Sequence, residues 1–162
     1  MRAFLLYFSI LLFQDPQTPT HQQGVVERGD HVMGFSHEKT THHFLLYSNG
    51  GEINVATNDA SDKGSLEQIR MHLGHIVKMF SAGNFNAPML IHDQVPPGVP
   101  VMKEKKAAIR YTFEETKTGG RVVISTADPK AVSAIHDFLH FQISDHQTGD
   151  SGEVKPKQTH GR

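Results

Sequence analysis

The period of the apolar positions switches between two values along residues 41–148. "THHFLLYSNGGEINVAT" (41–57) splits into two short runs of β-branched, aromatic and apolar residues around Asn49-Gly50, which predicts a hairpin. "SLEQIRMHLGHIVKMF" (65–80) then takes helical spacing, with Leu66, Ile69, Leu73, Ile76 and Phe80 on one stripe. Ser65 with Gln68 three residues on predicts a capping box, and Gly83 predicts the stop. Periodicity lapses over 84–106, where Pro96, Pro97, Gly98 and Pro100 break regular structure. Within that stretch "PMLIH" suggests a short strand and "VMKEKK" one or two helical turns. "AAIRYTFEETKTGGRVVISTA" predicts a second hairpin, turning at Gly119-Gly120. Asp128-Pro129 is suited to the cap and first turn of a second helix, "KAVSAIHDFLHFQIS", with Val132, Ile135, Leu139 and Ile143 toward the core.

This order predicts an α+β fold of two ββα units, 41–83 and 107–148, joined by a loop-rich crossover at 84–106. The simplest architecture is a four-stranded, mostly antiparallel sheet with two helices on one face, a two-layer sandwich. "GGEINVATNDA" aligns with "GGRVVISTADP", which suggests an internal duplication. Residues 24–40 are polar and aperiodic, as in a flexible linker, and 149–162 resemble a disordered tail. At the N-terminus, Met1-Arg2 precedes the unbroken apolar run "AFLLYFSILLF" and then a polar stretch. Residues 1–23 therefore suggest a signal peptide or targeting segment, although no A-x-A cleavage triplet follows. The run is short for a bilayer span, so the expectation is an exported protein, periplasmic or secreted, with no stable membrane span after processing.

Composition narrows the chemistry. A length of 162 residues favours one domain. Charge is balanced, 16 Lys+Arg against 17 Asp+Glu, so no basic excess points to nucleic acid. Without cysteine there is no disulfide, thiolate metal site or Cys nucleophile. The outlying count is 12 histidines.

Those histidines fall in short, separated groups. On the first helix His72, His75 and Met79 share a flank beside the apolar stripe, at spacings that make them surface neighbours. On the second helix His136 and His140 are one turn apart, and His146 continues the stripe through Gln142. His42 and His43 open the first strand; strand alternation allows only one of them to face the helices, and the pattern does not choose. "PMLIHD" adds Met89, His92 and Asp93, and "HVMGFSH" adds His31, Met33 and His37 on the linker. Imidazole suits zinc or copper, and a thioether favours Cu(I). The candidate metal ligands are therefore His42, His43, His72, His75, His136, His140, His146, Met79 and His92. Glu67, Asp93, Asp137 and Asp145 are the candidate bases should the site be catalytic.

The expectation is a histidine-rich metal-binding protein for copper or zinc, in storage, delivery or sensing, with the metal ion as partner and a homo-oligomer left open. The alternatives are a small His-ligated metalloenzyme and a non-metal module with pH-responsive histidines, with axially ligated haem the weakest. The wheel adds one condition. The two histidine flanks lie on opposite sides of their stripes, so they meet only if the helices pack roughly parallel.

Overall fold

The computed structural model describes residues 20–157, so the expected targeting segment lies outside the described residues except for its last four positions. Strands β1 (Thr40–Tyr47) and β2 (Gly50–Thr57) form one antiparallel hairpin, and β3 (Ile109–Thr116) and β4 (Gly119–Thr126) form the other. The hairpins join through antiparallel β2 and β4, and β5 (Val154–Lys155) pairs parallel to β1, giving the order β3-β4-β2-β1-β5. Helices α1 (His21–Met33), α2 (Lys63–Ser81), α3 (Asn86–His92), α4 (Val99–Glu104) and α5 (Pro129–His146) complete the fold.

Among the described residues the sheet is thus five-stranded and mixed, with five α-helices, where the sequence pattern predicts four strands and two helices. Each extra element is one whose periodicity is hard to read. Helix α1 buries only Val25 and Gly29, too little for a stripe, yet Thr20 and Gln23 close a capping box at its start. Helix α3 has 7 residues, two turns at most, so "PMLIH" is helical where a strand was expected. Pro88 fits because it sits in the first turn, where backbone N–H groups have no intrahelical partner. Strand β5 is two residues long, inside the stretch expected to be a disordered tail.

The helix caps follow the sequence more closely. Asp128 accepts from the backbone N–H of Lys130 and Ala131 at the start of α5, with Pro129 next. Helix α2 begins two residues earlier than the expected box, because Asp62 caps Ser65 by its backbone N–H and its hydroxyl.

One face of the sheet carries the core. Phe44, Leu46, Ile53, Val55, Ile109, Tyr111, Val122 and Ile124 lie on it and pack under α2 and α5. The helices are crossed over: α2, which follows the first hairpin, lies chiefly on β3 and β4, while α5 lies chiefly on β1 and β2. The β2–β4 register is its own two-fold image, with Gly50 opposite Ser125 and Ala56 opposite Gly119.

That pairing, more than the turns, explains the two leading hairpin glycines. The turns themselves are Ser48-Asn49 and Lys117-Thr118, and both glycines already belong to strands. A Cβ on Gly50 would overlap the Ile124 carbonyl oxygen, and one on Gly119 the Val55 carbonyl oxygen, its two-fold counterpart. Gly119→Ala should therefore lower stability by about 1–3 kcal/mol through overpacking at the sheet centre. A thermal melt checks this, and an unchanged Tm would mean the two hairpins do not approach so closely.

Candidate histidine chamber

Strand β1 places alternate residues on the core face, and its register with β2 puts His42, opposite Val55, on that face. His43 takes the other face, where its Nδ1 bonds Asp150 at 2.9 Å. Helix α2 carries His72 at the edge of its buried stripe. Helix α5 buries Ala131, Ala134, Ile135, Phe138, Leu139 and Gln142, a face turned by about one position from the expected Val132/Ile135/Leu139/Ile143 stripe. The cause lies in α4, whose leading Gly98 comes so near that a Cβ there would overlap the Ala134 backbone carbonyl. The same turn buries Gln142 and brings His146, the last residue of α5, over the end of the sheet.

His42, His72, Gln142 and His146 thereby line one cavity of about 60 Å³, roofed by Met33 of α1 and walled by apolar side chains that include Phe44 and Ile91. Aromatic rings border it, stacked at Phe35, His42 and His146 and edge-on between Phe35 and His72. His42 and His146 are parallel with centroids 5.9 Å apart, and Phe35 contacts His42 at 5.9 Å and His72 at 5.6 Å. Met33, His42 and His146 also border a second cavity, about 240 Å³, which lies beneath α1 and reaches Thr40 and Thr41.

Behind the chamber lies a chain of polar contacts. His92 is 1% exposed and edge-on to His146 at 4.9 Å. Its Nδ1 bonds Asp145 Oδ2 at 2.5 Å, and its Nε2 lies 3.1 Å from Gln142 Oε1. The other Asp145 oxygen takes His21 Nε2 of α1 at 2.9 Å. Burial alone would push the Asp145 carboxyl up, but the bonds from His92 and His21 outweigh it and hold it below its usual range. Among the described residues, two buried nitrogens lining the chamber have no hydrogen-bond partner, His42 Nε2 and the Gln142 amide nitrogen.

The chamber holds its imidazoles uncharged at neutral pH. Burial, then the neighbouring His72 and His43, lowers His42 from 6.5 to about 4. Burial and His75 lower His72 to about 4, and burial with His92 and His42 lowers His146 to about 3. Among the described residues, no Asp, Glu, Lys or Arg lines the cavity.

Of the nine expected ligands, the structure brings His42, His72 and His146 to one cavity and sets His92 immediately behind it. The others lie elsewhere. His75 and His140 are exposed, and Met79 is half-buried against the core outside the chamber. His136 Nε2 bonds the carbonyl oxygens of Tyr47 and Gly50, tying α5 to the first hairpin. The two-fold relation of the hairpins gives the reason. It does not supply the parallel packing that opposite flanks need, so His136 and His140 turn away from His72 and His75. Among the possible bases, Glu67, Asp93 and Asp137 are exposed, and Asp145 is engaged by two histidines. His31 is exposed, and His37 bonds Asp30.

The sequence pattern singles out Met33 beside His31 and His37, but on the linker, and gives no sign of Phe35, which packs on His42 and His72. Gln142 carries a signal, as a polar residue on an otherwise apolar stripe. Among the described residues no three His, Asp or Glu side chains are arranged to hold a metal ion, and no helix is long and apolar enough to cross a membrane. No family model, curated protein or solved structure matches the chain.

Proposed function

We propose that the protein is a binding module whose histidine-lined chamber holds a small ligand and responds to pH. One observation carries this reading: four separated elements, α1, β1, α2 and α5, converge on one apolar cavity and leave two buried nitrogens, on His42 and Gln142, unpartnered beside it. Unpaired buried polar groups each cost about 1–3 kcal/mol, so a native site that keeps two of them is built for something that satisfies them. The cavity has room for about two or three non-hydrogen atoms, judged against cavities of about 150 Å³ known to hold benzene. The test is an amide-resolved NMR titration with small polar molecules of that size. Shifts confined to His42, His72, Gln142 and His146 are expected, and a set of such molecules that moves none of these signals would remove the reading.

A copper or zinc ion is the second reading. It is favoured by neutral imidazoles, the ligating form, arriving from β1, α2 and α5 beside the Met33 thioether. The rings would have to turn to reach one ion. Elemental analysis of untagged protein and titration with each metal decide it: His72→Ala should cut occupancy severalfold if His72 ligates, and affinity no tighter than micromolar in the unsubstituted protein would exclude a metal role. A reaction at that ion, with water in an open position, would extend this second reading. Export by residues 1–23 belongs to both readings and is checked by the N-terminal mass of the mature protein.

A further inference from the structure

The two hairpins differ at their outer edges. Beside β1 the chain after α5 returns: β5 pairs with Leu46 and Tyr47, and Asp150 accepts from the backbone N–H of Phe44. Strand β3, the two-fold counterpart of β1, pairs only with β4 among the described residues. Thr116 and Gly119 close a two-residue turn, so Thr112 and Glu114 direct their backbone groups to β4, and Ile109, Tyr111, Phe113 and Glu115 direct theirs outward. Phe44, which stands in the first hairpin where Phe113 stands in the second, follows the same alternation. The open edge is 8 residues long and has neither the proline nor the bulge that would stop a further strand from adding. Helix α2 has a matching peculiarity. Arg70 reaches the Thr116 and Gly119 carbonyls, so the flank it shares with Gly74, Val77 and Ser81 faces the open edge. Gly74 is in mid-helix, where glycine weakens the helix, and nothing lies within 4 Å of the place its Cβ would take. Nothing inside one copy of the chain requires that glycine.

We propose that two copies of the chain join β3 to β3 about a two-fold axis, making one continuous sheet with the two α2 helices side by side above the seam. Outward-directed residues must then face one another. With the axis at Thr112, Tyr111 faces the partner's Phe113 and Ile109 faces the partner's Glu115, each pair exchanging both backbone bonds. The same register sets exposed Arg110 against the partner's Glu114 on the helix-free face, once on each side of the axis. Moving the axis to Tyr111 or Phe113 would face Arg110 with a threonine and lose both charge pairs. Glu114 keeps its bonds from Arg121 of its own copy, since a carboxylate accepts several donors. Because α2 lies over β3 and β4, its axis stands about one strand spacing, ~4.8 Å, from the seam. Two such helices are about 10 Å apart, the separation of packed helices. Gly74 and Ser81 are the small residues that let them close, with half-buried Val77 between them. The seam is at the far edge of the sheet from His42, so it is independent of the chamber.

The test is analytical ultracentrifugation of the full chain across a wide concentration range, paired with hydrogen exchange. A dimer is expected. On dilution to monomer, the amides of Tyr111 and Phe113 should exchange faster while those of Thr112 and Glu114 stay protected. Arg110→Glu sets like charges across the seam and should weaken the dimer about tenfold. Glu114→Lys should do the same alone, and mixing the two variants should restore a dimer with one copy of each, because opposite charges meet again on both sides of the axis. Gly74→Gln fills space that one copy leaves open and strengthens the helix; it should weaken the dimer about tenfold or more with the far-UV circular dichroism unchanged. Should Glu114→Lys, which also gives up Arg121, fail to fold, the Arg110→Glu and Gly74→Gln results decide. A chain that is monomeric at every concentration overturns the proposal. So does a dimer indifferent to Arg110→Glu and Gly74→Gln, whose contact would lie on another face, and so does failure of the two folded charge variants to pair on mixing.

Discussion

Acidification from pH 7 to pH 5 should cost the protein about 6 kcal/mol of stability. His42 and His72 titrate at about 4 and His146 at about 3 in the folded state, against 6.5 for an ordinary histidine. A base whose folded pKa is depressed is protonated first in the unfolded chain. Its contribution is therefore complete above about pH 6.5 and is lost as pH falls through the window from 6.5 toward 4 and 3. Each such group removes about 1.4 kcal/mol per pH unit inside that window. Three of them over the stretch from pH 6.5 to 5 remove about 6 kcal/mol, comparable to the lower end of the about 5–15 kcal/mol that stabilises a typical domain. Asp145 and Asp150 act in the same direction, but their carboxyls lie below the usual 3.8, so their loss falls at lower pH.

Urea unfolding at pH 7.5, 6.5, 5.5 and 4.5 checks this. The midpoint should be level between the first two and fall steeply after. His146→Phe replaces one ring by another of similar shape, stacked between His42 and Phe44. It should remove about a third of the slope. A midpoint that stays level down to pH 5.5 would show that these imidazoles are hydrated and charged in the native protein.

The two ββα units and the apolar stripe of α2 were readable because each is long enough to display its period. Leu66, Ile69, Leu73, Ile76 and Phe80 are all buried as the wheel requires. The chamber was half readable. Pairing of histidines in the sequence drew attention to the right segments, but one member of each pair does structural or surface work. His43 holds the chain after α5 through Asp150, which also accepts from the backbone N–H of Phe44. His136 fastens α5 to the first hairpin. Choosing between His42 and His43 needs the β1–β2 register, and choosing His146 over His140 needs the one-position turn of α5 that Gly98 permits. Neither is local information. Helix α1 was hard to read for a related reason: its inward face is short, Val25, Gly29, Val32 and Met33, and it is completed by long-range polar contacts, Arg28 Nε to the Ile91 carbonyl and His21 to Asp145.

Asp145→Leu should be the most damaging single substitution at the site, costing about 1.5–3 kcal/mol, because it removes a hydrogen bond to a carboxylate and leaves a buried ring nitrogen of His92 without its acceptor. Asp145 is 14% exposed at its side chain and joins His92, whose side chain is wholly buried, to His21 on α1. Leucine fills the space but offers the wholly buried His92 Nδ1 no acceptor. Asp145→Asn keeps one oxygen for His92 and should cost about 1–2 kcal/mol. His21→Ala removes only the solvent-facing partner, 55% exposed, and should cost less than about 1 kcal/mol. The order of the three matters more than any one value. Stability curves graded Leu, Asn, then His21→Ala would assign the effect to the buried His92 bond. If His21→Ala matched Asp145→Leu, the carboxylate would instead act by holding α1 down. Hydrogen exchange separates the two cases, because loss of the α1 anchor raises exchange in residues 21–33 alone, whereas loss of the His92 bond loosens α3 and the end of α5 and with them the wall of the chamber.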